Sequence, residues 1–198
     1  MCGIFAFLLK NNYKLTLEER KKLLTESIKI QHRGPDNTIF NEYGKSKVFF
    51  TFHRLCIIDK MESGNQPLRV NNIALVCNGE IYNYKELIDE HYLNPVSGSD
   101  CEVIIHLYQK YGIEKTVSLL DGVFAFVLYD ISLDRCYVAR DPIGVRSLYY
   151  GFNFKGDMVV ASEVKSVQHL VKDHVLVFPP GCYHEFNSGN KVGDKRYY

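Results

Sequence analysis

The alternation of apolar and polar positions divides the chain into many strand-like runs and two helical stretches. Residues 4–9 form a short apolar run that predicts a strand. Thr16-Leu17-Glu18-Glu19 has the spacing of a capping box, in which a hydroxyl and a carboxylate three residues apart satisfy backbone N–H groups reciprocally. Behind it Leu17, Leu24 and Ile28 recur at helical spacing, predicting a helix to about residue 31. His32-Arg33-Gly34-Pro35-Asp36 breaks it. Residues 48–58 are rich in aromatic and β-branched side chains and predict a long strand, and 73–77 a short buried one ended by Asn78-Gly79. Ser99-Asp100-Cys101-Glu102 is a second capping box, opening a helix with Val103, Ile104, Leu107 and Tyr111 inward. Strands then follow at 123–130, 136–140, 148–152, 158–161, 175–178 and 182–186, with 132–135 and 153–157 as hairpin connections. Helices without regular β-α alternation argue for antiparallel sheets packed by helices, an α+β sandwich and not a doubly wound fold. No repeat, low-complexity tract or linker interrupts residues 1–198, so a single domain is expected.

Composition narrows the class. Hydrophobic residues make up 46% and charged residues 24% of the 198 positions, ordinary values for a globular chain. At this length roughly 70% of the unfolded surface can be buried, so no disulfide or metal is needed to hold a core. Lys and Arg total 24 against 23 Asp and Glu, a net charge of +1 without a basic stripe, which argues against nucleic acid as a partner. The apolar run at 4–9 stops at Lys10 and lacks a basic flank, too short for a signal peptide or a membrane span; a cytoplasmic location is expected, with no membrane partner. None of the six cysteines forms a C-x-x-C pair, and five lie in or beside apolar runs, where they read as buried, reduced, small hydrophobes. The seven histidines include no H-E-x-x-H, and no metal site is expected.

Cys2 stands apart because of its position. With Met1 removed, thiol and free α-amine share one residue, and that amine, with an unperturbed pKa of about 7.7–8.0, accepts a proton at neutral pH. An N-terminal nucleophile thus carries its own general base. Asn78-Gly79 has two readings: a tight turn, or an oxyanion hole built from the Asn78 amide and the Gly79 N–H. Arg54, charged within an apolar strand, either snorkels outward or is paired inside a pocket, where its fork suits a carboxylate. Asp100 stands in the first turn after Ser99, where the helix dipole alone explains a carboxylate. No G-x-x-x-x-G-K-[ST] or G-x-G-x-x-G is present, so nucleotide binding has no signal.

Met1-Cys2-Gly3-Ile4-Phe5, His32-Arg33-Gly34-Pro35-Asp36, Arg54-Leu55-Cys56-Ile57-Ile58-Asp59, Gln66-Pro67-Leu68 and Asn78-Gly79-Glu80-Ile81-Tyr82-Asn83 together resemble class II glutamine amidotransferases. So do Gly98-Ser99-Asp100-Cys101-Glu102, Gly122-Val123-Phe124-Ala125-Phe126, Ala139-Arg140-Asp141-Pro142-Ile143-Gly144 and Ser162-Glu163-Val164-Lys165. Within that class the set, in order along the whole chain, is similar to the glutaminase domain of glutamine-dependent asparagine synthetases.

The resemblance implies an N-terminal-nucleophile hydrolase fold, an αββα sandwich of two antiparallel sheets between helical layers. It implies that Cys2 is the nucleophile and its amine the base, and that Asn78 and Gly79 form the oxyanion hole. Substrate contacts would come from Arg54, Leu55, Ile57, Glu80 and Asp100, with Arg54 on the α-carboxylate of L-glutamine and Asp100, near Glu80, on its α-ammonium. It also implies no cofactor in this chain, with ATP and Mg²⁺ confined to a synthetase domain in cis or as a partner. The chain departs from the pattern at Cys56, where relatives usually carry Ser, and at Ser147, where they usually carry Pro. It ends at Tyr198, about where the synthetase domain would begin, so a truncated form or a stand-alone glutaminase domain is expected. The alternatives left open are the glutaminase half of another class II enzyme and a non-catalytic or partner-dependent glutamine-binding domain.

Overall fold

β1 (Gly3–Leu8) is buried along its whole length, and its two faces serve different cores. Ile4, Ala6 and Leu8 point into the space between two sheets, while Phe5 and Phe7 point outward to a helical layer. A strand covered on both sides has no polar face to alternate with, which is why it reads as a continuous apolar run. The structure is a computed structural model that describes residues 1–11, 13–45, 47–56, 64–187 and 189–198.

One sheet joins β1 to β2 (Asn37–Tyr43), β3 (Val48–Arg54), β8 (Tyr149–Phe152), β9 (Met158–Ala161) and β10 (Leu176–Val177), in the order β10-β8-β9-β1-β3-β2. The other joins β4 (Leu68–Val70), β5 (Ile73–Ile81), β6 (Gly122–Asp130), β7 (Arg135–Arg140), β11 (Cys182–Asn187) and β12 (Asn190–Arg196), in the order β12-β11-β7-β6-β5-β4. The pairings, such as Ala6 opposite Phe50 and Asn78 opposite Ala125, are antiparallel. Ile4, Phe50 and Val160 meet Ala74, Val127 and Val138 between the sheets. Outside the first sheet lies α1 (Leu17–Ile28); outside the second lie α2 (Tyr84–His91) and α3 (Val103–Leu119). The sandwich of two antiparallel sheets between helical layers is the architecture expected from the sequence.

Several local expectations are corrected. The capping box at Thr16 and Glu19 closes on both sides, but the buried face of α1 is Leu23, Glu26 and Ser27. Leu17 is 70% and Ile28 49% exposed, so the apolar stripe is not the packing face. Polar contacts set the rotation: the Ser27 carbonyl accepts a hydrogen bond from the buried His53 ring at 2.8 Å, and the Glu26 carboxylate pairs with Lys29 and His169. Tyr111, expected inward, is exposed because Gly112 at φ 76° breaks α3 beside it; its ring lies edge-on to His91. At the second capping signature Ser99 accepts from Cys101 N–H, while the Glu102 carboxylate turns away to the N–H groups of Val96 and Ser97, at 2.9 and 2.7 Å. β5 does not stop at Cys77; it runs through Asn78 and Gly79 to Ile81, so the tight turn is excluded.

Candidate active site

Cys2 immediately precedes β1 and packs against the inter-sheet core on the face of Ile4. Its sulfur lies 3.4 Å from the Leu55 N–H and 3.6 Å from the Leu55 carbonyl oxygen, just past the end of β3. Three residues of the string at 32–36 brace this junction. Arg33 Nε donates to the Cys2 carbonyl at 3.0 Å, and its Nη1 is held by Glu163 at 3.0 Å. Asp36 accepts the Cys56 N–H at 2.8 Å, and its own N–H donates to the Arg54 carbonyl at 3.0 Å. Gly34 has no alternative here, because a Cβ would sit 2.2 Å from the His53 carbonyl oxygen.

The second wall is the far half of β5. In an antiparallel ladder successive N–H groups alternate between the two sides of a strand. Tyr82 N–H donates to Asp121, continuing the register with β6, so even-numbered residues of β5 face β6 and odd-numbered ones face away. On that away side Cys77 N–H donates to Gln66 Oε1 and Ile81 N–H to Asp100 Oδ2, both at 2.6 Å. The Gly79 N–H lies between them on the same edge and faces the cavity that Gly79 lines. A side chain is excluded at Gly79, since a Cβ would meet Val123 O at 2.6 Å and Phe124 Cα at 2.8 Å. Asn78 points the other way, onto the inter-sheet face shared with Val76; its amide nitrogen is buried with no hydrogen-bond partner among the described residues. A buried donor without an acceptor costs about 1–3 kcal/mol, so this one is explained if an acceptor arrives with a ligand.

Between the walls is a cavity of about 90 Å³ lined by Cys2, Arg54, Leu55, Gly79, Glu80 and Asp100 among others. Arg54, 6% exposed, sits on the inward face of β3 and donates from Nη1 to Asn65 at 2.7 Å; the snorkelling alternative is excluded. Asp100 is equally buried, and its carboxylate crosses to β5. Burial raises its pKa, opposed by the Ile81 N–H and reinforced by the negative charge of Glu80. Burial likewise pushes the Cys2 thiol up, against the Leu55 N–H, the terminal ammonium and Arg54, so the resting group is a thiol that needs a base. The nitrogen of Cys2 here lies in the Met1–Cys2 peptide, with Met1 51% exposed and its sulfur against Arg146.

Of the residues singled out in the sequence, Cys2, Arg54, Leu55, Gly79, Glu80 and Asp100 line one cavity and Asn78 lies beside it; Ile57 falls outside the described residues. Cys56, read as a buried hydrophobe, is half-buried and lines the cavity, as Cys77 and Cys101 do; Cys182 is half-buried elsewhere. Gln66 and Arg146 also line it and were given no role from sequence, and so does Ser99, which was read only as a helix cap. Arg146 is placed by Asp141, whose carboxylate accepts the N–H groups of Gly144, Val145 and Arg146 at 2.6, 2.9 and 3.0 Å. Among the described residues no three His, Cys, Asp or Glu side chains are grouped to hold a metal.

Compared with known proteins, residues 1–175 match the family described as glutamine amidotransferase domain. A Brassica oleracea protein named asparagine synthetase [glutamine-hydrolyzing] is 40% identical over all of this chain and 33% of its own length. A Rattus norvegicus protein of the same name is 40% identical over 92% of this chain and 33% of its own length. The chain therefore spans about a third of the curated relatives it matches. Among solved structures, a glutamine phosphoribosylpyrophosphate amidotransferase from B. subtilis superposes with a TM-score of 0.76 at 24% identity, over all of this chain and 49% of that one. The shared fold is the N-terminal-nucleophile hydrolase sandwich.

Proposed function

The chain belongs to the glutamine amidotransferase domain family, and from that premise we propose that it hydrolyses L-glutamine to L-glutamate and ammonia through a γ-glutamyl thioester on Cys2. The observation that carries this is one cavity lined by both the Cys2 thiol and Gly79, whose N–H lies on the open edge of β5, with the Asn78 amide, buried and unpartnered among the described residues, one position before it. Removal of Met1 frees the Cys2 amine, which takes the thiol proton as sulfur attacks the side-chain amide carbon. Negative charge develops on the amide oxygen, where Asn78 and Gly79 stabilise it. The amine returns the proton to nitrogen, ammonia leaves, and water activated by the same amine releases glutamate. Arg54 holds the substrate carboxylate and Asp100, with Glu80, its ammonium; bringing that cation to a buried carboxylate offsets the desolvation that raises Asp100.

Every role is filled by a group of this chain, so the half-reaction as proposed uses no metal or nucleotide. The names of the relatives support a further step, in which a synthetase domain consumes the ammonia to make asparagine; a cytoplasmic setting belongs to the same reading and rests on the sequence alone. The test combines intact mass with an ammonia assay. Protein lacking Met1 should release ammonia from glutamine, while Cys2→Ala should be folded and inactive. Full turnover by protein shown to retain Met1 would overturn the mechanism, because the base would then be an amide.

A further inference from the structure

Four of the six cysteines, Cys2, Cys56, Cys77 and Cys101, line the same cavity, and the proposed reaction uses one. The other three are not equivalent. Cys77 and Cys101 are 1% and 2% exposed. The Cys77 backbone is fixed within β5, opposite Phe126 on one side and bonded to Gln66 on the other. Cys101 leans on Cys77 and lies 3.9 Å from an Asp100 oxygen, and these neighbours with burial hold its thiol far above the usual range. Cys56 is half-buried and lies two residues past the end of β3, outside any ladder, with its N–H held by Asp36.

Cys56 is also next in the chain to the residue that touches the nucleophile. The Cys2 sulfur is 3.6 Å from the Leu55 carbonyl oxygen. A planar peptide places the following Cα about 3 Å from that oxygen, so the Cys56 Cα is at most about 6.5 Å from the sulfur. Side-chain rotation with a small shift of the segment closes that gap to disulfide geometry. We propose that Cys56 is a resolving thiol for Cys2, so that peroxide converts the pair into a reversible disulfide that switches the site off. The Cys2 thiolate attacks one oxygen of hydrogen peroxide; the O–O bond breaks, a sulfenic acid forms, and water leaves once protonated. The Cys56 thiolate then attacks the Cys2 sulfur, the S–S bond forms, and the sulfenic oxygen departs as a second water. Peroxide is reduced and two thiols are oxidised, with no further reactant. The pairing rests on geometry, and only the activity readout rests on Cys2 being the nucleophile.

Trypsin separates the four thiols into peptides ending at Lys10 and spanning 55–60, 70–85 and 86–110. Peroxide treatment, blocking of free thiols and digestion should yield a cross-link between the N-terminal peptide and 55–60. Ammonia release should fall in parallel and return with dithiothreitol. In Cys56→Ser, activity relative to the untreated variant should fall without recovering, because Cys2 then proceeds to sulfinic acid. A cross-link between 70–85 and 86–110, sulfinic Cys2 without a cross-link in the wild type, or equal recovery of both proteins would overturn the proposal. A chain that never releases ammonia would overturn the glutaminase reading while the peptide map still decides this one.

Discussion

Along β5, residues 73–75 are paired on both sides, to β4 through Leu68 opposite Leu75 and to β6 through Leu75 opposite Leu128. From Cys77 onward β6 is the only strand partner among the described residues, and side chains take the place of the second one. Gln66 stands where it would face Cys77 if β4 ran two residues further, and its side-chain carbonyl takes the bond a backbone carbonyl would have taken. Asp100 does the same at Ile81, leaving Gly79 between them. Open strand edges invite unwanted pairing, and proteins usually cover or charge them. Here the opening is three N–H groups long, capped at both ends by side chains, and its middle donor faces a cavity. The first half of the strand holds the sandwich together; the second half trades pairing for a binding edge.

Three substitutions separate those roles. The largest effect is expected for Gly79→Ala, whose methyl would press on Val123 O and Phe124 Cα. The strand must move off β6, so ammonia release should vanish and stability should fall by about 1–3 kcal/mol, read from denaturant unfolding. Normal turnover would mean that the edge tolerates displacement and that Gly79 N–H is not the donor. Next come Asn78→Ala and Val76→Ala, two residues apart on one face. Asn78→Ala should lower kcat by about a hundred- to a thousandfold with little change in KM. It should not destabilise the free protein, since it removes a buried donor that has no partner among the described residues. Val76→Ala, fully buried, should cost about 2 kcal/mol and leave kcat alone. If the two exchanged signatures, the division of β5 would be wrong.

The sequence made the first half of β5 plain and misled on the second for one reason. Apolar runs report burial, so residues 73–77 were read as a strand, as were β1, β3, β6 and β7. Asn78-Gly79 carries a strong local turn signal that the ladder with β6 overrides. The same limitation hid β2 and β12: the first is an edge strand with its residues half-buried or exposed, and the second, Asn190–Arg196, is almost wholly exposed and rich in charge. It also set α1 in the wrong rotation, because polar Glu26 and Ser27 face inward. At the site, six of the seven described candidates line one cavity and Asn78 lies beside it, and the matching strings are what singled them out in the sequence. Gln66 and Arg33 stood in those strings, but their work is to hold backbone groups far away in sequence, at Cys77 and Cys2. No spacing rule carries that information.

The smallest effect, and the one that sharpens the comparison most, is expected at the cap of the open edge. Asp100→Asn keeps an oxygen for the Ile81 N–H and removes the charge. The folded protein raises the Asp100 pKa above its ordinary 3.8, chiefly by burial. The folded state therefore holds that proton more tightly than the unfolded chain, and the charged form opposes folding. Without ligand, the wild type should lose stability as pH rises from about 3.8 through the raised value, and the loss should persist above it. Asp100→Asn should escape that loss, so it should melt slightly higher than wild type near neutral pH, with the difference closing as pH falls. Glutamine reverses the sign, because its ammonium favours the carboxylate. KM should rise on the order of tenfold in the variant, a charge-assisted bond having become a neutral one. Wild-type affinity should also weaken as pH falls through the raised value, while the variant stays flat. A variant less stable at neutral pH with an unchanged KM would make Asp100 a fastener for Ile81 and nothing more, and the open edge would lose its ammonium site.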